Sequence, residues 1–224
     1  LGAVLQHDPE DREALVDLGR TAFGHEIRIN RAFMEARVRI LTGFIEPHFF
    51  AGFSGGPKAV MPGLAGIDTI LGNHDAAMID HPGATWGETE ANPVHREIAE
   101  VAERAAPEFL VNVTLNRRRE ITGVFAGDWR AAHRAGCAFV RQSAMRPVGG
   151  LYDCVVTTNA GFPLDANLYQ AVKGLSAAAR IVRPGGTIVL AAACSEGMRG
   201  HANFYRLLHA SASPEALLEQ IRAN

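Results

Sequence analysis

Cysteine is scarce in this chain. Its three copies among 224 residues, Cys137, Cys154 and Cys194, are too few and too scattered for a disulfide framework or a thiolate zinc site. Each lies in or beside an apolar segment, the pattern expected of buried free thiols in a reducing cytoplasm. A surplus of charge is also missing, since 22 Lys and Arg face 24 Asp and Glu. No bulk field favours nucleic acid or an anionic membrane, and any nucleotide must be gripped by a local site. The expected partner is therefore a small molecule, with no nucleic acid and no membrane. No run approaches the ~18 consecutive apolar residues of a membrane span, and the N-terminus lacks a signal-peptide layout. Internal repeats and low-complexity tracts are absent. What the chain has is 47% hydrophobic residues, enough for one large or two small cores, which excludes a disordered or fibrous protein. It opens at Leu1 without a methionine and runs at once into Val4-Leu5-Gln6-His7, so a piece of a longer protein is expected.

Strand-like and helix-like segments alternate, the pattern of an α/β protein. Val4 to Gln6 reads as a short strand, Glu10 to Leu18 as a helix with an acidic first turn, and Glu26 to Ile29 as a weak strand. Asn30 is placed to cap a short helix through Ala36, and Val38 to Gly43 reads as a strand feeding a glycine-rich loop. Ala65 to Leu71 reads as a short helix that delivers His74. Asn92-Pro93 has the N-cap and first-position proline of a longer helix, with Ile98, Val101, Ala102 and Ala105 on one face. Phe109 to Leu115 alternates as a strand, turns at Arg117 to Glu120 and returns as Ile121 to Phe125, after which Asp128 caps a helix to about Ser143. Arg146-Pro147-Val148-Gly149-Gly150 is the expected domain boundary. It divides the chain into residues 1–146 and residues 147–224. In the second part, Tyr152 to Thr158 reads as a strand, Leu164 to Val182 as a helix stopped by Pro184-Gly185-Gly186, and Thr187 to Ala193 as a buried strand. Continuous apolar character there predicts a sheet covered on both faces with parallel neighbours.

The stretch Gly43-Phe-Ile-Glu-Pro-His-Phe-Phe-Ala-Gly-Phe-Ser-Gly-Gly-Pro-Lys58 follows a strand and carries titratable side chains among four glycines, poor material for a core and good material for a binding loop. Glycine lets a ligand approach the backbone, Lys58 offers a cation or an amine nucleophile, and His48 titrates near neutrality. Exposed N–H groups at Ser54, Gly55 and Gly56 invite a phosphate reading. This is not a Walker A loop, because Pro57-Lys58-Ala59 lacks the hydroxyl that would hold magnesium. Two histidines 26 residues apart, His48 and His74, raise a metal question without settling it. Gln170 and Lys173, three apart on a predicted helix, share a face and could clamp a carboxylate and a neighbouring oxygen, or simply be solvated. Arg117-Arg118-Arg119 reads as a solvated turn. His81, His95, His133, His201 and His209 are assigned no role.

Taken together, the glycine-loop motif, then Asn73-His74, then Leu164-Asp-Ala-Asn-Leu-Tyr-Gln-Ala-Val-Lys-Gly174 closely resemble the nickel-dependent lactate racemase family, and Cys194-Ser-Glu-Gly197 agrees. The resemblance covers nearly the whole chain, in order and with matching gaps. It implies two α/β domains with a cleft between them, the first being the C-terminal portion of a cofactor-binding domain and the second, with a mainly parallel sheet, incomplete. It implies a racemase or epimerase of lactate or a related 2-hydroxy acid. The cofactor implied is a nickel-pincer nucleotide, a pyridinium bisthiocarboxylate mononucleotide. By this resemblance Lys58 can be tethered to the cofactor, Ser54, Gly55 and Gly56 border it, and His74 is the nickel ligand. His48 is an acid/base group, and Gln170 and Lys173 touch substrate. The family's second histidine would lie upstream of Leu1, and a tryptophan expected near the C-terminal end is absent, so the piece alone is not expected to turn over substrate. Two other classes stay open: a methyltransferase-like nucleotide-binding domain, prompted by Arg183-Pro-Gly-Gly-Thr-Ile-Val-Leu190, and a non-catalytic relative that binds phosphate or metal only.

Overall fold

The structure, a computed structural model, describes residues 3–197 and 202–223; His201 lies outside them. The chain divides into two compact units, Leu1–Arg146 and Pro147–Asn224.

In the first unit, Asp11 caps a single 3-10 turn, Arg12–Ala14, its carboxylate accepting from the N–H groups of Glu13 and Ala14. The chain then extends as β1 (Leu15–Arg20), which pairs antiparallel with β2 (Glu26–Asn30). The helix expected over Glu10 to Leu18 is thus a turn and a strand. Its acidic start is real, but ladder bonds to β2 and the burial of Leu15 outweigh local propensity. Val4 to Gln6 forms no strand: it is exposed, with Val4 96% accessible, and has no sheet partner among the described residues. Asn30 caps α1 (Arg31–Met34), its side-chain oxygen accepting from the Phe33 N–H.

Next come β3 (Ile40–Phe44), the small antiparallel pair β4 (Pro47–His48) and β5 (Gly52–Phe53), and a second 3-10 turn, Gly56–Ala59. Two short helices follow, α2 (Ile67–Asn73) and α3 (Ala76–Asp80), then α4 (Pro93–Ala105), capped by Asn92. Strands β6 (Phe109–Leu115) and β7 (Ile121–Gly127) lead to α5 (Trp129–Ala144), capped by Asp128. The sheet order is β3-β6-β7, with β3 parallel to β6 and β6 antiparallel to β7. The α4 face bearing Ile98, Val101, Ala102 and Ala105 is fully buried and joins Ile27, Ile29, Val60, Met61 and Leu110 in the main core.

The second unit holds β8 (Tyr152–Thr158), α6 (Leu168–Ala179), β9 (Val182–Ala191), α7 (Ala202–Ala210) and α8 (Pro214–Arg222). Strands β8 and β9 are parallel, the pairing expected of a crossover through a helix. Three expectations are corrected. Helix α6 begins at Leu168, where Asn167 caps it, and ends before β9, which Val182 opens. Pro184-Gly185-Gly186 does not stop that helix; it lies inside β9, where the register slips between Tyr152 and Cys154 as a bulge. The sheet is not covered on both faces: α6 packs on it, while Val156 stays 73% accessible and Val189 is exposed. Of the three cysteines only Cys137 is buried; Cys154 is exposed and Cys194 half-buried. No helix among the described residues is long and apolar enough to cross a membrane.

Candidate active site

The loop after β3 is held through its main chain by side chains from distant elements. Asn92 donates to the carbonyl oxygens of Phe50 (2.8 Å) and Glu88 (3.0 Å). One ring nitrogen of His95 meets the Ala51 carbonyl at 3.3 Å, and one of His133 meets the Ser54 carbonyl at 3.0 Å. Asn112, buried in the middle of β6, accepts from the Gly56 N–H at 2.7 Å. Two glycines are required by close approach and by positive φ. A Cβ on Gly52 (φ 78°) would lie 2.0 Å from the Glu88 carbonyl oxygen, and one on Gly56 (φ 56°) would lie 2.4 Å from the His133 ring.

This framework gathers three titratable side chains around Phe50. The His48 ring stands edge-on to it at 4.6 Å between centroids, the His74 ring edge-on at 5.0 Å, and the Lys58 ammonium lies 5.8 Å from its centroid. His48 also stacks on Phe49 at 5.1 Å. His74 is delivered by the C-terminal end of α2, which Asn73 ties to α4: its side-chain amide donates to the buried Glu97 carboxylate (2.8 Å) and to the Val94 carbonyl. Glu97 in turn accepts from Thr21 (2.5 Å) and faces His25 at 2.9 Å.

The hydrogen-bond partners fix tautomers, because a carbonyl can only accept. His74 Nδ1 lies 3.0 Å from the Ile70 oxygen, so its hydrogen sits on Nδ1 and the Nε2 lone pair is left outward. Burial first, and the Lys58 charge second, push the His74 pKa below its ordinary value and keep it neutral. At His48 the roles are reversed: Nδ1 accepts from the Ala51 N–H at 3.2 Å. His95 and His133 stack at 5.9 Å with their planes 14° apart. Burial lowers both; His95 falls to about 4, with the neighbouring His133 and Lys58 adding to the effect. The Cys137 thiol, 3.5 Å from His133, is pushed up to about 12 by burial and stays protonated.

Thus His48, Lys58 and His74 converge. Ser54, Gly55 and Gly56 belong to the same loop, yet their polar groups are largely engaged by the fold: the Ser54 hydroxyl bridges the Glu46 N–H and the Phe44 carbonyl, and Asn112 takes the Gly56 N–H. The run of free N–H groups that a phosphate cradle needs is not there at Gly56. In the second unit, Gln170 and Lys173 share one face of α6, half-buried rather than solvated. Lys173 forms no ion pair with any described residue. Gly174 beside it lets α6 close onto β8, where a Cβ would lie 2.9 Å from the Thr158 oxygen.

Sequence reasoning missed His95, His133, Asn112 and the second task of Asn92. A signal existed: Asn112 sits on the inward side of an alternating strand, and His133 lies on the apolar stripe of α5 with Trp129, Gly136 and Val140. Buried polar groups in such places need partners.

Comparison with known proteins gives a consistent picture. The family description "Lactate racemase N-terminal domain" matches residues 2–87, and "Lactate racemase C-terminal domain" matches residues 150–224. The chain is 39% identical over 218 residues to a lactate racemase of Thermoanaerobacterium thermosaccharolyticum, covering 96% of this chain and 50% of that one. It is 40% identical over 219 residues to a lactate racemase of Lactiplantibacillus plantarum, covering 97% and 51% respectively. The chain therefore spans about half the length of the curated relatives it matches. Among solved structures, the lactate racemase apoprotein of T. thermosaccharolyticum superposes with a TM-score of 0.93 at 39% identity, over 97% of this chain and 52% of that one. A Thermotoga maritima protein aligns with a TM-score of 0.57 at 22% identity, over 68% and 42%, a likeness of fold alone.

Proposed function

Because this chain belongs to the lactate racemase family, we propose that the whole protein interconverts the enantiomers of lactate or a related 2-hydroxy acid, using a nickel-pincer nucleotide. The observation that carries the reading is His74: a neutral imidazole, its Nδ1–H committed to a main-chain carbonyl, with an Nε2 lone pair in the cluster that also holds His48 and Lys58. A metal-binding histidine ordinarily has its second nitrogen anchored in this way.

The residues fit the group. Among the described residues no three His, Cys, Asp or Glu side chains come together to hold a metal, and in this reading His74 contributes one imidazole. Nickel held there must bring its remaining donors with it, as an organic pincer ligand with sulfur arms does, and soft N/S donor sets suit nickel. His74 would ligate the metal and Lys58 would hold the ligand, covalently or by charge. Ser54, Gly55 and Gly56 would border it, their fixed backbone shaping the wall. When bound, the cofactor would supply a reversible hydride acceptor, the chemistry that lets a Cα–H bond be broken and remade on the other face.

His48 is the group that takes the proton of the substrate hydroxyl and returns it. To accept at Nε2 it must carry its hydrogen on Nδ1, so the Ala51 bond is given up during the cycle; at 3.2 Å it is a weak bond to lose. Lys173 neutralises the substrate carboxylate and Gln170 orients the hydroxyl oxygen. A second acid/base group for the opposite face and a cytoplasmic setting belong to the same proposal. No observation favours the methyltransferase-like reading.

The test uses the full-length protein made with its cofactor-synthesising partners. Nickel analysis and chiral analysis of a panel of 2-hydroxy acids should show stoichiometric metal and loss of optical purity. His74→Ala should lose nickel and activity while keeping the melting temperature of the apoprotein. Full metal content in that variant would remove His74 from the ligand set. Bound nickel without racemisation of any acid would instead identify a non-catalytic relative.

A further inference from the structure

The structure assigns His95 and His133, which no comparison gives a role, as positioning residues: a stacked imidazole pair that fixes the loop between His48 and Lys58. The inference rests on the reading of that loop as the active site. The two rings come from different helices, α4 and α5, and grip the two carbonyls that bracket β5, Ala51 at 3.3 Å and Ser54 at 3.0 Å. Each ring must donate, which places the hydrogen on Nδ1 of His95 and on Nε2 of His133. Neither bond survives a change of tautomer. Burial disfavours protonation of both, and in the neutral form the stacked rings do not repel.

Packing supports the bonds without replacing them. Gly56 rests against the His133 ring, so that ring is also the wall from which the 3-10 turn to Lys58 springs. On another side, a cavity of about 260 Å³ lined by both histidines, Trp129 and Cys137 leaves space beside the rings. A ring that lost its carbonyl partner would have room to move, and the loop would move with it. His48 lies three residues before Ala51 and Lys58 four after Ser54, so slack in this segment changes their separation directly. Displacement of a reacting group by about 1 Å costs on the order of 100-fold in rate.

The experiment compares two kinds of variant in full-length protein. His95→Leu and His133→Phe remove the donor and keep bulk, whereas His95→Asn and His133→Gln retain an amide N–H near the original nitrogen. Hydrogen exchange of the Phe50–Lys58 amides in the apoprotein needs neither cofactor nor turnover. The donor-less variants should speed exchange there roughly 5- to 10-fold, the loss of one hydrogen bond, with the β3-β6-β7 sheet unchanged. In the loaded enzyme, kcat should fall roughly 10- to 100-fold with KM within about threefold. The amide-bearing variants should recover most of both. Unchanged loop exchange in the donor-less variants, or equal damage in the amide-bearing ones, would overturn the assignment. Should the donor-less variants fail to fold, the amide-bearing pair decides alone: near-wild-type exchange supports the role and loss refutes it. If wild-type protein racemises no 2-hydroxy acid while the exchange pattern holds, the proposed activity has failed and the loop-holding role stands.

Discussion

At His74 the bond to the Ile70 carbonyl leaves a lone pair on Nε2, whereas at His48 the Ala51 N–H points at Nδ1 and leaves the hydrogen on Nε2. The same side chain thus carries a lone pair on Nε2 in one place and a hydrogen on Nε2 in the other, set by a single main-chain partner each. Lys173 presents a third case, a half-buried ammonium with no ionic partner among the described residues. If it meets the substrate carboxylate, Lys173→Ala should weaken binding of a 2-hydroxy acid by roughly 2–5 kcal/mol. Titration calorimetry on full-length protein measures this, and unchanged affinity would take Lys173 out of the site.

Among the elements, the β4-β5 hairpin carries the greatest demand on its backbone. Gly52 adopts φ 78° with its α-carbon face pressed on Glu88, while its own carbonyl accepts from the Gly87 N–H at 2.9 Å. Any side chain meets both the conformational cost and the clash. Gly52→Ala is expected to destabilise by at least about 1–3 kcal/mol, read from the midpoint of urea unfolding. His48 lies directly across the hairpin from Gly52, so the variant should also lose activity at temperatures where it remains folded. A midpoint equal to wild type would mean that the hairpin can open at little cost.

For the molecule as a whole, the two kinds of shifted group predict a two-stage loss of stability in acid. His74, His95 and His133 have folded pKa values below their ordinary 6.5, so below that pH the unfolded chain binds protons that the folded chain refuses. Their contribution is complete above pH 6.5 and is lost as pH falls toward about 4, the folded value of His95. Glu108, held down to about 2 by its bonds to Arg39, acts lower: its contribution is present above 4.5 and disappears as pH falls toward 2. The melting temperature should therefore decline in the first window, then again in the second. His95→Asn should flatten the first decline and leave the second; an identical slope in that variant would show that His95 does not carry it.

The sequence by itself determined what short-range chemistry determines. Asn30, Asn92 and Asp128 announced their helices because a cap is satisfied within three residues, and β6 announced itself by alternation. The motif residues 48, 58, 74, 170 and 173 were legible as residue types in order, enough to state the family. Only the tertiary structure decided that Leu15–Arg20 is a strand, since its partner lies across a turn and the hydrogen bonds are not local. It alone decided that Pro184–Gly186 sits in a bulge rather than at a helix stop, and that the glycines at 55 and 56 serve close packing on Asn112 and His133. It also decided that His95, Asn112 and His133, from three separate elements, hold one loop. Those contacts span 44 to 79 residues, and no periodicity or capping rule reaches that far, because they depend on how the elements pack.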